Sequence, residues 1–319
     1  MSGQPIPILT VTLNPALDLS AHVDAMVAGP KLRLDRPHVE PGGGGVNVAR
    51  AIHELGGAVA VWVALGGTAG AQHRDLMEGQ GLPVHGFEVA GETRANWAIS
   101  DATGAQFRLQ LPGPEWNEAE GEAALADIAN RADGIVVLSG SQPPGLGAEF
   151  PQNLAATLGN GCRLVVDTSG DALRKLVEHP RAESPPFLLR LDQAESEALA
   201  GAPLGSVADS AALARALLAR GVATWICLAR GAEGSVLVGQ EGAWHCRPPE
   251  VEVASKVGAG DSFTGAFVLA LAQNAPPQEA LRQGTAAAAA AVMTEGTALC
   301  RSTDVARLAP DCALRQLDA

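Results

Sequence analysis

A glycine-rich loop that runs directly into a helical pattern lies near the carboxyl-terminal end of the sequence. Residues 256–267 read KVGAGDSFTGAF. The first N–H groups of a helix have no partner within the helix and lie at the positive end of its dipole, so they can bind an anion. Gly258 and Gly260 carry no side chain and let a ligand approach the backbone closely. The loop is therefore a candidate site for a phosphate or for a phosphoryl group in transfer.

Asp261 lies at the mouth of this candidate anion site. A carboxylate beside an anion is unfavourable unless it has a task, and one such task is to orient an attacking hydroxyl and accept its proton. The alternative is that Asp261 caps the helix, a role that asparagine or serine would fill equally well. The residues of this loop alone leave both interpretations open.

A second run of glycines leads into a helix much earlier in the chain. Residues 41–50 read PGGGGVNVAR, and the helical pattern covers residues 46–55. Because each glycine-to-helix junction offers free backbone N–H groups, the two together predict two subsites for anions or polyols.

The two motifs resemble the two signatures of the ribokinase-like (PfkB) sugar kinases. The first is a run of glycines that ends in Asn-Val-Ala, the second is Val-Gly-Ala-Gly-Asp-Ser-Phe, and their order and separation fit the family. The resemblance covers nearly the whole chain. It implies a kinase that uses ATP and Mg²⁺, and it leaves room for a monovalent cation such as K⁺.

The resemblance gives the motif residues roles in phosphoryl transfer. Asp261 becomes the candidate base, and the backbone of Gly258, Ala259 and Gly260 becomes the anion hole. The residues that would hold the sugar phosphate include Asp18, Gly43, Gly44, Asn47 and Ser139. Considered without the family, Asp18 could equally form an Asx turn after the first strand.

Four basic residues are candidates for binding the phosphate of a phosphorylated sugar. Lys31 and Arg33 alternate with two leucines, so on a strand both cations would face one side. A solvated edge strand with protective charges is the alternative. Arg94 and Arg108 are the further candidates, of which Arg94 fits the family better, and for both the alternative is ordinary surface charge.

The nucleotide and its metal are expected near residues 190–260. Glu195 matches the acidic member of the family's Asn-x-x-Glu element, which implies a role in holding Mg²⁺, and Asp192 stands at the asparagine position as a second candidate metal ligand. An ordinary acidic first turn of a helix is the alternative for both. The candidate nucleotide ligands are Arg190, Asp192, Ala229, Gly231, Gly234, Lys256, Gly258 and Gly260. The chain departs from the family's pattern at Asp192, Ala194, Ala229 and Lys256, and Lys256 could simply point outward.

Strands that alternate with single helices predict an α/β fold, with a mostly parallel sheet covered on both faces. The resemblance implies a three-layer α/β/α, Rossmann-like sheet with a small β-sheet lid. We assign residues 1–18, 41–86 and 112–319 to the main domain and residues 19–40 and 87–111 to the lid. The runs 84–89, 96–100 and 106–111 are expected to form an antiparallel meander that completes the lid. Polar groups that follow strands, such as Asp18, Ser139 and Asp167, are expected to meet at one edge of the sheet.

Composition excludes several classes of protein. The net charge of −13 argues against nucleic acid or an anionic membrane as a partner. Five dispersed cysteines without metal-ligand spacing predict reduced core thiols. The absence of a signal peptide pattern and of a long apolar segment predicts a cytoplasmic protein. Since a small sheet exposes one face unless something covers it, we expect a homodimer through the lid.

The glycine motif narrows the expected substrate. Four consecutive glycines followed by VNVARAI most resemble the phosphofructokinase branch of the family. Together with the basic residues, this implies phosphorylation of fructose 6-phosphate at O1. Tagatose 6-phosphate and fructose 1-phosphate are the alternatives within the same class.

Two other classes of function are compatible with an α/β chain that contains glycine-rich loops. A catalytically silent protein that binds sugar phosphates is motivated by the departures at Asp192, Ala194 and Ala229, and opposed by the intact Asp261 and both glycine motifs. A nicotinamide-dependent dehydrogenase is disfavoured because no G-x-G-x-x-G follows the first strand.

Overall fold

The computed structural model describes residues 5–318, which form two β-sheets and the helices that cover the larger one. The strands are β1 (Ile8–Thr12), β2 (Ala16–Val23), β3 (His38–Gly42), β4 (Ala60–Leu65), β5 (Val84–Glu88), β6 (Arg94–Asp101), β7 (Gln106–Gln110), β8 (Gly134–Ser139), β9 (Cys162–Asp167), β10 (Leu188–Leu191), β11 (Trp225–Ala229), β12 (Ser235–Gly239), β13 (Gly242–Arg247) and β14 (Ala313–Gln316). The helices are α1 (Gly44–Glu54), α2 (Gly67–Gly79), α3 (Glu118–Arg131), α4 (Phe150–Leu158), α5 (Gly170–Glu178), α6 (Gln193–Ala200), α7 (Val207–Ala219), α8 (Ala259–Ala272), α9 (Pro277–Val292) and α10 (Ser302–Leu308).

The large sheet has ten strands in the order β14-β13-β12-β11-β10-β9-β8-β1-β4-β5. All pairs from β5 to β11 are parallel, and the three pairs from β11 to β14 are antiparallel. The parallel strands place their carboxyl ends at one edge of the sheet, which is where open α/β sheets bind ligands.

Helices cover both faces of this sheet, so the expected three-layer α/β/α fold is confirmed. Neighbouring residues of one strand face opposite layers: Val137 of β8 packs with Ile52 of α1 and Phe267 of α8, whereas Val136 packs with Ile128 of α3 and Leu154 of α4. Because both faces are buried, the central strands read as continuous apolar runs rather than as alternating ones.

The small sheet has four strands in the order β3-β2-β6-β7. Its pairs β2–β3 and β6–β7 are antiparallel, whereas β2 and β6 are parallel. The antiparallel pairing expected for the runs 96–100 and 106–111 is therefore confirmed. The run at 84–89 was misplaced, because β5 pairs with β4 at the edge of the large sheet. A short strand next to a lid segment has the same alternating pattern in either sheet, so the sequence could not decide between them.

Several local expectations need correction. Residues 24–37 form no strand, so Lys31 and Arg33 do not share a strand face, although both side chains are exposed. Asp18 lies within β2 rather than in a turn after the first strand, which removes the Asx-turn alternative. Strand β14 and helix α10 were not predicted.

Two further expectations concern cysteines and membranes. All five cysteines are free, and four of them are buried, as expected for core thiols. Across residues 5–318, none of the helices has the length and apolar character needed to cross a membrane.

Candidate active site

Helix α8 begins at Ala259 and places Asp261 in its first turn. The residue before the helix, Gly258, adopts a left-handed conformation (φ 76°) and acts as the N-cap, so Asp261 is not the cap. The N–H of Ser262 donates to the carbonyl of Gly258 at 2.9 Å, which closes the first helical turn. The N–H groups before Ser262 have no acceptor within the helix and are available to an anion.

The carboxylate of Asp261 is paired with the amide of Asn47. Nδ2 of Asn47, in the first turn of α1, donates to Oδ2 of Asp261 at 3.0 Å. This contact joins the two glycine motifs, which are separated by 214 positions in the sequence. The two glycine-to-helix junctions therefore lie side by side at one candidate site.

The environment of Asp261 holds its pKa near neutrality. Burial is the largest influence, and together with the nearby carboxylate of Asp167 it raises the pKa to about 7. The hydrogen bond from Asn47 and the charge of Arg190 act in the opposite direction. A carboxylate with a pKa near the working pH is suited to accept a proton from a hydroxyl.

Arg190 lies between β9 and the anion loop. Its Nη1 lies 3.3 Å from Oδ1 of Asp167, and Oγ1 of Thr264 donates to the other oxygen of that carboxylate at 3.0 Å. A Cβ added at Gly260 would lie 2.9 Å from Nη1 of Arg190. The acidic partner of Arg190 is therefore Asp167.

The glycines of the first motif make room for close contacts with the end of β8 and with β1. A Cβ at Gly44 would lie 2.5 Å from Oγ of Ser139, and one at Gly45 would lie 2.5 Å from the carbonyl oxygen of Val11. Gly43 has a φ of 118°, a conformation that L-residues rarely adopt. The run of glycines is thus needed to bring α1 against the carboxyl ends of these strands.

Asp18 faces the same site from the small sheet. Its Oδ1 accepts from Nδ2 of Asn96 at 2.9 Å, and a Cβ at Gly42 would collide with its carboxylate. Burial raises the pKa of Asp18, against the opposing effect of Asn96.

His73 contacts the backbone at the end of β3, beside Asp18, and the sequence analysis did not identify it. It lies on α2, is fully buried, and its Nε2 lies 2.9 Å from the carbonyl oxygen of Gly42. Burial lowers the pKa of His73 to about 4, so the imidazole is neutral and donates to this carbonyl. A single histidine within a polar helix carries no signal that would mark it as a supporting residue.

The candidate phosphate ligands lie in two different settings. Arg94, at the start of β6, donates to the carbonyls of Leu111 at 3.2 Å and Asn14 at 3.1 Å, so it ties the small sheet to the end of β1. Arg108, on β7, is exposed and lies opposite Ala98. Directly paired residues point to the same side of a sheet, so Arg108 shares the face of Asn96 and Asp18.

Asp192 and Glu195 form a reciprocal capping box at the start of α6. The N–H of Glu195 donates to Oδ1 of Asp192 at 2.7 Å, and the N–H of Asp192 donates to Oε2 of Glu195 at 2.8 Å. In this structure both side chains therefore cap the start of α6, which agrees with the alternative of an ordinary acidic first turn. Burial raises the pKa of Glu195 to about 7, despite the hydrogen bond from Asp192 that acts in the opposite direction.

No group of three or more His, Cys, Asp or Glu side chains within residues 5–318 is arranged to hold a metal ion. Mg²⁺ in kinases keeps most of its waters and is held by phosphates and one or two carboxylates. Glu195 keeps one carboxylate oxygen outside its bond to Asp192 and fits that mode of binding.

The remaining candidate nucleotide ligands line the end of β11 and the loop before α8. Ala229 ends β11, and a 3₁₀ turn (Gly231–Glu233) follows. The buried Arg230 holds this turn, because its Nε donates to Glu233 at 3.2 Å. A Cβ at Gly234 would collide with the carbonyl of Cys246, so this glycine is required by strand packing. Lys256 is exposed beside the anion loop.

Comparisons with known proteins agree with this geometry. The model of the pfkB family of carbohydrate kinases matches residues 11–304. ATP-dependent 6-phosphofructokinase isozyme 2 of Escherichia coli (strain K12) is 36% identical over 306 residues, which cover 95% of this chain and 98% of that protein. The 1-phosphofructokinase of Xanthomonas campestris is 35% identical, covering 85% of this chain and 86% of that protein.

Solved structures lead to the same family. Phosphofructokinase-2 from Escherichia coli in complex with fructose-6-phosphate has a TM-score of 0.86 at 34% identity, covering 96% of this chain and 99% of that one. The same protein in complex with potassium has a TM-score of 0.88 with the same coverage. The chain therefore belongs to the pfkB family of carbohydrate kinases, which are phosphotransferases with an alcohol group as acceptor.

Proposed function

We propose that this protein transfers the γ-phosphoryl group of ATP to O1 of fructose 6-phosphate, giving fructose 1,6-bisphosphate and ADP. The observation that carries the proposal is the pairing of Asp261 with Asn47 at the amino-terminal end of α8, a helix end whose first N–H groups have no acceptor within the helix. The names of the relatives from Escherichia coli and Mycobacterium tuberculosis, at 36% and 34% identity, support this substrate.

In the proposed reaction, Asp261 orients the O1 hydroxyl and accepts its proton. The O1–phosphorus bond forms while the bond from the γ-phosphorus to the bridging oxygen of ADP breaks. The N–H groups of Ala259, Gly260 and Asp261, together with Arg190, stabilise the charge on the transferring group. Asp167 and Thr264 hold Arg190 in place for this task.

Binding of the sugar phosphate is assigned to both sheets. Asp18, Asn47 and the backbone of Gly43 and Gly44 hold the sugar hydroxyls in our proposal, with Ser139 nearby. Its phosphate is bound by Lys31, Arg33, Arg94 and Arg108. These cations oppose the net charge of −13, which disfavours an anionic substrate elsewhere on the surface. In this proposal the small sheet acts as a lid that excludes water from the transfer.

We assign the nucleotide to the groove between α6, β11 and the loop before α8. Bound Mg²⁺ would neutralise part of the triphosphate charge, and Glu195 would orient its water shell. A monovalent cation such as K⁺ stays a prediction from the family resemblance.

The proposed lid also supports the prediction of a homodimer. The residues opposite one another across its four strands include Val39, Leu19, Trp97 and Leu109, which share one face. This face points away from Asp18 and Asn96, and Leu109 is 50% exposed. A second copy of the sheet would cover this apolar row, in line with the rule that large exposed apolar patches mark interfaces.

The test is ADP release from Mg-ATP with fructose 6-phosphate, tagatose 6-phosphate, fructose 1-phosphate and free fructose measured side by side. We expect the highest kcat/KM with fructose 6-phosphate. A clear preference for fructose 1-phosphate would replace our proposal by 1-phosphofructokinase activity, which the relative from Xanthomonas campestris keeps as the second candidate. Binding of sugar phosphates without turnover would favour the catalytically silent binding protein.

A further inference from the structure

A chain of polar contacts leads from the small sheet to Asp261 through two residues that have no role so far. Glu40 lies on β3 directly opposite Asp18. Its Oε1 accepts from Nη2 of Arg50 on α1 at 2.6 Å. Nη1 of Arg50 lies 3.4 Å from Oδ1 of Asn47, one helical turn earlier. Asn47 in turn donates to Asp261, so four side chains connect the sheet to the candidate base.

Arg50 and the carboxylate of Asp261 favour the same orientation of the Asn47 amide, although Nη1 of Arg50 is shared with the carbonyl oxygen of Pro41 at 3.4 Å. Arginine has only donors, so it can pair only with the oxygen of that amide. With Oδ1 directed at Arg50, Nδ2 is directed at the carboxylate, where it donates at 3.0 Å. A flipped amide would place its oxygen against the carboxylate of Asp261, which is repulsive whenever that group is ionised.

A second branch from Glu40 reaches the other side of the anion loop. Its Oε2 accepts a hydrogen bond from the hydroxyl of Thr297. The segment that follows packs on the start of α8: the N–H of Cys300 donates to Oγ of Ser262 at 3.2 Å, and a Cβ at Gly258 would lie 2.8 Å from Leu299. Glu40 therefore contacts both Arg50, which leads to Asn47, and Thr297, which precedes the segment packed against the start of α8.

The ion pair at the centre of this chain is largely shielded from water. The side chains of Arg50 and Glu40 are 14% and 15% exposed. Although burial raises the pKa of Glu40, the contacts from Thr297 and Arg50 lower it below its ordinary value, so the group is ionised at neutral pH. A buried ion pair adds little stability compared with apolar side chains of the same size, but it fixes the relative position of its two partners. Apolar packing would be enough to hold β3 against α1, so the charged pair points to a role in positioning.

We propose that Glu40 and Arg50 are positioning residues. They couple the contact between the small sheet and α1 to the orientation of the Asn47 and Asp261 side chains. When the sheet is seated, Glu40 holds Arg50, and Arg50 holds the Asn47 amide in the donating orientation. When the sheet lifts, Arg50 loses Glu40 and keeps its contact outside the sheet, in which Nε donates to Oε1 of Gln80 at 3.0 Å. The Asn47 amide is then less firmly held in the donating orientation, so Asp261 is best prepared to activate a hydroxyl in the closed site. This inference rests on the proposed function, because it assumes that Asp261 is the base.

Kinetics of Glu40→Gln and Arg50→Lys test the coupling. We expect kcat with fructose 6-phosphate and Mg-ATP to fall on the order of tenfold while KM for the sugar changes less. We also expect the acidic limb of the pH profile of kcat/KM to move to higher pH, because the donor to the ionised carboxylate is less firmly held. The other groups facing Asp261 are Asp167 from β9, Arg190 from β10 and Asp18 from β2, and both variants keep these residues. Burial is the largest influence on the pKa of Asp18, and Glu40 and Arg50 add smaller contributions of opposite sign, so the effect of Glu40→Gln includes a change at Asp18.

The matched control is Arg131→Lys, which alters a surface ion pair with Asp127 on α3 at 3.0 Å. It should change neither kcat nor the pH profile. Thr297→Val gives a milder variant that removes only the second branch and leaves Arg50 and Asn47 in place. It should lower kcat less than Arg50→Lys and leave the acidic limb where it is in the unmodified protein.

Amide hydrogen exchange without substrate separates the coupling from the proposed reaction. In Glu40→Gln, exchange should become faster both in residues 38–42 and in residues 294–300, and Arg131→Lys should alter neither. If the unmodified protein turns over no phosphosugar, the proposed function fails. Faster exchange of both segments in Glu40→Gln would then still support the coupling. Faster exchange in residues 38–42 alone, with an unmoved acidic limb in Arg50→Lys, would overturn it.

Discussion

Asp261 is subject to opposing influences that come from different parts of the chain. Burial and the charge of Asp167 favour its neutral form, whereas Asn47 and Arg190 favour the carboxylate. Because burial and Asp167 prevail and raise the pKa of Asp261 to about 7, both protonation states are populated near neutral pH, and small changes in the surrounding residues alter the fraction of protein that carries an ionised base. The same balance links activity and stability at this position.

Activity is expected to depend on pH through Asp261. The residue must be ionised to accept a proton, and its pKa is raised to about 7. We therefore expect kcat/KM to decline as the pH falls through about 7, with a tenfold loss for each further pH unit. An ADP-release assay between pH 5.5 and pH 9 in buffers of constant ionic strength measures this limb. A flat profile down to about pH 5, close to the ordinary value for aspartate, would contradict the role assigned to Asp261.

Stability is expected to change in the opposite sense. A carboxyl group whose pKa is higher in the folded state than in the unfolded state binds a proton on folding, so the free energy of unfolding falls as the pH rises from about 4 to about 7. Asp261→Asn removes this penalty. Its melting temperature should therefore exceed that of the unmodified protein at pH 8, with a smaller difference at pH 5. Asp133→Asn, an exposed aspartate before β8, should show no such trend, and a variant less stable at pH 8 than at pH 5 relative to the unmodified protein would refute the burial argument.

At the scale of elements, the site depends on two helices whose first turns meet. Glycines at the start of α1 let it approach the ends of β1 and β8, and Gly260 leaves space for Arg190 beside α8. The sequence shows such junctions clearly because glycine runs before a helical pattern are a local signal. It does not show the long-range partners, which is why the contact of Arg190 with Asp167 was not predicted.

The space at Gly260 is expected to be essential. In Gly260→Ala the new methyl group would lie 2.9 Å from the guanidinium of Arg190 and displace it from the anion loop. We expect kcat to fall on the order of tenfold or more, since small misplacements of stabilising groups are costly for catalysis. Gly79→Ala, at the end of α2 with open space around its Cβ position, is the matched control and should retain full activity. Equal activity of the two variants would show that the position of Arg190 is unimportant.

The prediction of elements was accurate wherever the pattern was local. The expected alternation of helices with parallel strands is present from α3 to β11. The errors lie in the small sheet and at the end of the chain: β5 was given to the wrong sheet, residues 24–37 were read as alternating, and β14 was missed. Sheet membership depends on which strand lies alongside, and neither hydrophobic period nor turn residues carry that information. His73, Glu40 and Arg50 escaped notice for the same reason, because their partners are distant in sequence.

At the scale of the whole molecule, the small sheet has two different faces. One carries the polar row Glu40, Asp18 and Asn96, which faces the site, and the other carries the apolar row Leu19, Trp97 and Leu109. In the proposed function, the same four strands cover a polar substrate with one face and bind a second copy with the other. This proposal predicts that assembly and lid closure depend on one element.

Substitution of the apolar row is expected to break the homodimer. Leu109→Asp places a charge in the row opposite Trp97, so burial between two copies becomes unfavourable. We expect sedimentation velocity to change from a dimer to a monomer at micromolar concentration. Val253→Asp replaces a similarly exposed apolar residue, 55% exposed, outside both sheets and should leave the dimer intact. If the unmodified protein sediments as a monomer at every concentration, the apolar face is not a dimer interface.

The assignment of Asp261 as the base is tested most directly by comparing Asp261→Asn with the unmodified protein at saturating Mg-ATP and fructose 6-phosphate. Asparagine keeps the shape of the side chain but cannot accept a proton from the substrate hydroxyl. We predict that the rate of ADP release falls by roughly 10²-fold or more while binding of fructose 6-phosphate is retained. A variant that keeps the kcat of the unmodified protein would contradict the role of Asp261 and, with it, the proposed mechanism.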